Sequence, residues 1–161
     1  MCLAAPTIGP ISPAGATRGS EVEVVVSGTN FHDVQEIFFE DVIIQQKKIE
    51  AVNDKQLKAT LFVPEDAPFG NHRFRVRTKK GLSLLRTFRV GPFPQVAETE
   101  TNTSNPKVVN NTPDTAQEIQ VPEAGGLTIA GVVRQEDVDC YRIWLEEGQR
   151  LSVAVDAVRL N

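Results

Sequence analysis

The side chains through which this chain could act on another molecule are a set of carboxylates, a row of arginines and one tryptophan. In Glu98-Thr99-Glu100-Thr101-Asn102, alternation puts the oxygen-bearing side chains Glu98, Glu100 and Asn102 on one side of an extended segment. Asp137 and Asp139 add two carboxylates at the mouth of a strand, with Glu136 adjacent. Hard oxygen donors gathered in this way are calcium chemistry, because Ca2+ takes about six to eight oxygens in flexible geometry. A plain acidic linker and an aspartate-capped turn account for the same residues, and composition favours that simpler reading.

The second group is basic. Arg73-Phe74-Arg75-Val76-Arg77-Thr78 alternates strictly, so Arg73, Arg75 and Arg77 share one strand face while Phe74 and Val76 share the other. Lys79 and Lys80 follow at a turn, and Arg86 and Arg89 lie on the return strand. Such a face could hold an acidic polysaccharide or nucleic acid. The plainer reading, a solvated face whose charges discourage edge-to-edge pairing, is favoured. Trp144 falls on the opposite strand face from Tyr141, Ile143 and Leu145, which makes it a stacking platform for a ligand or a cover for a neighbouring module.

Catalysis finds less support. His32 and His72 stand in no spacing that suggests a triad or a metal pair, and both read as surface-loop residues. Cys140 is flanked by Asp137 and Asp139, which disfavour its thiolate, so it reads as a half-buried strand thiol. No nucleophile elbow, phosphate loop or zinc signature occurs. The two cysteines, Cys2 and Cys140, make no disulfide framework.

The elements that must position these residues are strands. Glu21–Val26, Gln56–Val63, Arg73–Thr78 and Leu82–Val90 carry period-two or β-branched patterns, and Ile37-Phe38-Phe39 and Val42-Ile43-Ile44 read as short buried runs. Ser27-Gly28-Thr29-Asn30, Ala67-Pro68-Phe69-Gly70-Asn71 and Lys79-Lys80-Gly81 carry turn chemistry between them. Strand signals resume at Glu118–Val121, Leu127–Val133, Tyr141–Leu145 and Leu151–Val155, the last two flanking a turn at Glu146-Glu147-Gly148-Gln149. No segment has sustained helical periodicity, and no apolar run approaches the length of a membrane span. The N-terminus shows no signal-peptide pattern, which excludes nothing for a segment of a secreted protein.

Charge separates two halves of the 161 residues. Residues 1–91 carry 12 basic and 10 acidic side chains, and residues 92–161 carry 5 and 11, within a total of −4. The asymmetry suggests two modules with different surfaces and makes neither a polyanion-binding protein. Residues 6–91 form the first module. Residues 92–116, rich in Asn, Thr and Pro, read as a polar linker. Residues 117–161 form the second, which stops five residues after Asp156. The expected fold is all-β: two β-sandwich modules in series, immunoglobulin-like first, the second truncated.

The first module resembles an IPT/TIG domain, an immunoglobulin-like sandwich. The resemblance rests on Pro6-Thr7-Ile8, Ile11-Ser12-Pro13, Val24-Val25-Val26-Ser27-Gly28-Thr29-Asn30-Phe31, Phe38-Phe39, Val63-Pro64, Gly70 and Phe88. The second resembles the opening part of a bacterial pre-peptidase C-terminal (PPC) domain through Asn111-Thr112-Pro113-Asp114-Thr115-Ala116-Gln117, Gly131-Val132-Val133, Asp137-Val138-Asp139-Cys140-Tyr141 and Gly148-Gln149-Arg150-Leu151. The pair is similar to segments of large surface or secreted proteins of planctomycete-type bacteria. The resemblance implies accessory, non-catalytic modules in an extracellular, cell-surface or periplasmic protein. Their partners would be neighbouring domains of the same polypeptide, and polysaccharide or extracellular protein in a binding role. It also implies a calcium site on Glu98, Glu100, Asn102 and Asp139, with Glu136 or Asp137 added, Ca2+ being the one cofactor considered.

Overall fold

A computed structural model of the chain describes residues 4–41, 43–99, 110–123, 125–131 and 138–155. The chain divides into two compact units, Met1–Gln95 and Val96–Arg159. The described residues form strands, turns and one 3-10 turn, so the protein is all-β, and no helix among them is long and apolar enough to cross a membrane.

The first unit holds β1 (Thr7–Ser12), β2 (Gly15–Thr17), β3 (Glu21–Thr29), β4 (Val34–Phe39), β5 (Gln45–Asn53), β6 (Gln56–Phe62), β7 (Gly70–Thr78), β8 (Gly81–Leu82) and β9 (Arg86–Gly91). One sheet runs β1-β3-β6-β5 and the other β2-β9-β7-β4, with β8 on β7. The first strand region divides between the sheets, and the arrangement is that of an immunoglobulin-like sandwich. Alternation decides which side chains meet. Val22, Val24 and Val26 on β3 stand opposite Leu61, Ala59 and Leu57 on β6, and Phe74, Val76, Phe88 and Val90 close the core from the other sheet. Phe39 packs on Phe74 and Phe88 at centroid separations of 5.6 and 6.1 Å, within the range of favourable aromatic pairs.

Two stretches depart from the sequence reading. Ile37-Phe38-Phe39 is not buried throughout: Ile37 and Phe39 are in the core, and Phe38 faces out because a strand inverts its side chains at every residue. The run from Leu82 to Val90 is not one strand. Ser83 is buried, its amide donates to the Val76 carbonyl at 2.9 Å, and its Oγ accepts from the Val76 amide at 2.9 Å. A side-chain oxygen thus replaces a backbone carbonyl in the ladder, the pairing breaks between β8 and β9, and Leu84 turns to solvent.

The second unit opens within β10 (Gln95–Ala97) and contains a 3-10 turn (Pro113–Thr115), β11 (Gln117–Ile119), β12 (Thr128–Ala130) and β13 (Tyr141–Ile143). β10 pairs with β12, and β11 runs parallel to β13 with Gln117, Glu118 and Ile119 opposite Tyr141, Arg142 and Ile143. Gln95–Ala97, counted in the sequence with the polar connector, is therefore strand. The expected turn forms at Glu146–Gln149, where Gly148 takes φ +86° and the Gln149 amide donates to the Glu146 carbonyl. The run Leu151–Val155 is not a strand and is exposed. β-branched residues make a strand only when a partner completes the ladder, and no described segment pairs with this one.

Candidate functional site

Arg73, Arg75 and Arg77 stand on the outer face of β7, because His72, Phe74, Val76 and Thr78 between them are all buried. Across the sheet on β4, Glu36 lies opposite Arg77 and Phe38 opposite Arg75. Arg77 Nε is 3.0 Å from Glu36, and Arg75 Nε is 3.7 Å from Glu40. Arg75 Nη1 also donates to the Ser83 carbonyl at 2.9 Å. Arg73 has no ion-pair partner among the described residues. These pairs are part-exposed, so each is worth no more than about 1 kcal/mol, and their effect is to hold the stems along the sheet. Sequence reasoning found the arginines and missed Glu36, Phe38 and Glu40. Alternation outward from the inward-facing Ile37 and Phe39 would have found them.

His72 corrects its expected place at the surface: it is buried, at 5 % exposure. Its Nδ1 meets Asp41, in the turn after β4, and its Nε2 lies 2.8 Å from the Pro68 carbonyl. The contacts tie two turns to the start of β7. The inward positions Phe74 and Val76, extended back by two, already place His72 inside. His32 is exposed as expected and sits 3.1 Å from Asp54.

In the second unit the described part of the carboxylate set is Glu98 and Asp139; Glu100, Asn102, Asp137 and Glu136 lie outside the described residues. The Glu98 amide donates to Ala130, continuing the β10–β12 ladder. Its carboxylate oxygen Oε1 accepts from the Tyr141 hydroxyl at 2.6 Å and from Asn110 Nδ2 at 3.4 Å. A Cβ on Gly131 would come 2.1 Å from Glu98 Oε2, so the carboxylate lies across a glycine that leaves it room. Asn110 is buried and its carbonyl accepts from the Cys140 amide at 2.7 Å. Asp139 is half-buried two residues before Tyr141. Among the described residues no three His, Cys, Asp or Glu side chains gather as a cation site. Glu98 and Asp139 alone supply too few oxygens for Ca2+, and Glu98 already serves as an acceptor within its own unit.

Trp144 follows β13 on the side of Arg142 and Glu118, away from Tyr141 and Ile143. It is 77 % exposed, with Nε1 3.4 Å from Glu118 Oε1. Leu145, placed by alternation on the face of Tyr141 and Ile143, is exposed because β13 ends at Ile143. Cys140 is a free thiol, half-buried as expected, but it stands just before β13 and not within a strand.

Fold and surfaces together define an all-β chain with an immunoglobulin-like sandwich and a mixed cationic, acidic and aromatic sheet face. No family model and no curated protein matches it. Among solved structures it is similar to SGBP-B from a complex xyloglucan utilization locus in Bacteroides uniformis, at 23% identity and a TM-score of 0.40 over 53% of this chain and 23% of that one. A second is SGBP-B of the Bacteroides ovatus mixed-linkage glucan utilization locus, in complex with a mixed-linkage heptasaccharide, at 16% identity and a TM-score of 0.35 over 53% of this chain and 22% of that one. The chain spans less than a quarter of the length of either.

Proposed function

We propose that the chain is a non-catalytic structural part of an extracytoplasmic bacterial protein, a pair of β-modules, IPT/TIG-like and PPC-like, that space or present neighbouring domains of the same polypeptide. The observation that carries this reading is the parallel pairing of β2 with β9, Gly15 to Arg89, Ala16 to Val90 and Thr17 to Gly91. One strand lies near the entry to the sandwich and the other at its exit. A pull on the two ends of parallel strands runs along their axes in opposite directions, so the ladder is sheared as a whole instead of peeled bond by bond. The Arg89 amide to the Ala14 carbonyl at 2.9 Å and Thr17 Oγ1 to the Phe93 carbonyl at 2.8 Å add bonds at either end of the pair. A spacer placed under tension needs that geometry. Single-molecule extension of the full chain is expected to show a distinct force peak that releases about 300 Å, the span of the sandwich at roughly 3.5 Å per residue. Extension without a peak, or hydrolysis of a glycan or peptide by the chain, rejects the reading.

The row of arginines on β7 favours a second reading, a binding module for extracellular polysaccharide or fibrous protein, with Arg73, Arg75 and Arg77 as contacts in the first unit and Trp144 in the second. In that reading calcium on the Glu98, Glu100, Asn102, Asp137 and Asp139 set stabilises the second unit. A ligand that binds only the native state raises the unfolding midpoint. Millimolar Ca2+ against chelator, followed by the fluorescence of Trp144, is expected to raise the midpoint of the second unit, and equal midpoints remove calcium from the account.

A further inference from the structure

We propose that the outer face of β4 and β7 binds an acidic polysaccharide whose sugar rings carry carboxylates, a polyuronate. The inference rests on the second reading above and names its ligand class.

The arginines supply the first argument. A guanidinium has five N–H donors in a fixed fork. Arg77 meets Glu36 through Nε, and Arg75 meets Glu40 through Nε and Ser83 through one Nη. Both terminal amino groups of Arg77 and the Nη2 of Arg75 remain for a ligand, and the terminal pair of Arg77 forms an edge that grips a carboxylate with two parallel bonds. Arg73 extends the row with its whole fork. Alternate residues on a strand are about 6.7 Å apart, so the three guanidinium groups mark a line of about 13 Å. A line of forks fits an extended chain better than a single small anion.

The glutamates choose among polyanions. Duplex nucleic acid presents one charge per about 1.7 Å, and any phosphate chain laid along this row would also lie against Glu36 and Glu40. A polyuronate has one carboxylate per charged ring and several hydroxyls between. Its hydroxyls donate to Glu36 and Glu40 while its carboxylates accept from the arginines. The alternation of donors and acceptors across the β4–β7 pair is thus complementary to a sparse, hydroxyl-rich anion.

Phe38 completes the surface. It is 40 % exposed on the sheet face, directly opposite Arg75. An aromatic ring on a flat face offers an apolar plane to the C–H side of a pyranose. Its place between two ion pairs puts that plane where a ring bearing a carboxylate would lie.

The test is affinity electrophoresis of the full chain through native gels containing polygalacturonate, a neutral mixed-linkage glucan, or duplex DNA. Retardation is expected in polygalacturonate alone, weakening as salt screens the exposed charges. Arg73→Ala is expected to weaken it about fivefold, the scale of one exposed charge contact of about 1 kcal/mol. Arg73→Lys, which keeps the charge and loses the fork, is expected to fall between the two. Phe38→Ala is expected to weaken retardation while leaving its salt dependence unchanged. Both positions are exposed to solvent, and circular dichroism of each variant separates lost binding from lost fold. Retardation by the neutral glucan equal to that by polygalacturonate overturns the ligand class and leaves the glycan reading standing. Equal retardation by DNA, or full binding by Arg73→Ala, overturns the proposal. Passage through every gel unretarded overturns both the proposal and the glycan reading.

Discussion

Phe74→Ala is expected to destabilise the first unit by about 4 kcal/mol, within the 3–5 kcal/mol typical of a buried Phe→Ala change. The ring is fully buried at the centre of β7, packs on Phe39 at 5.6 Å, and shares that partner with Phe88. Truncation loses the transfer free energy of the ring and leaves a void between two sheets whose strands cannot close on it without breaking their pairing to β4 and β9. Against a total of 5–15 kcal/mol for an ordinary domain, such a loss removes a large share of the stability. It corresponds to roughly 20 °C in midpoint for a unit of this size. Circular dichroism of the sheet is the suitable probe. The chain has one Trp and one Tyr, Trp144 and Tyr141, and neither lies in the first unit. A loss below 1 kcal/mol would show that the two sheets do not pack through this ring.

Gly28→Ala is expected to cost about 3 kcal/mol or more through contact instead of void. A Cβ there would stand 2.1 Å from the Thr7 carbonyl oxygen and 2.5 Å from Cζ of the buried Phe31. The first obstacle is backbone, held in the β1–β3 ladder by Thr7 to Thr29 and Ile8 to Gly28, and the second is a ring with no open space to move into. Overpacking a core costs about 1–3 kcal/mol where side chains can adjust. Here the strand itself must shift, so the effect lies at or beyond the upper end. The signature is local: hydrogen exchange should show β1 amides losing protection before those of β6. Wild-type protection along β1, together with a stability change under 0.5 kcal/mol, would rule out the close approach.

The strands of the first unit could be read from residues because they alternate cleanly. Val24 and Val26, Leu57 and Leu61, Phe74 and Val76 point inward where period two puts them. The reading stopped where another force entered. Ser83 looks like any polar residue in a strand, and only its buried hydroxyl, standing in for a carbonyl opposite Val76, explains the break before β9. Three apolar residues in a row, Ile37-Phe38-Phe39, carry no alternation in their types, so nothing local marks Phe38 as the outward one. His72 was lost by giving a Gly-Asn turn priority over alternation. In the second unit the strands are three residues long, too short for periodicity to identify with certainty. Glu98 was recognised as an acid, but its bond to a tyrosine hydroxyl 43 residues away is tertiary information that no local pattern holds.

The Ser83 substitution in the ladder also bears on how this protein can vary. Because the hydroxyl and amide of one residue complete the pairing at Val76, the sheet is finished locally before the chain reaches Leu84. Residues 84 and 85 then connect β8 to β9 without contributing to either strand. Length at that point is uncoupled from register. Residues could be gained or lost there while Phe88 and Val90 keep their places in the core, which makes this loop the natural site in the sandwich for an inserted tag, a grafted recognition segment or a new pair of chain ends.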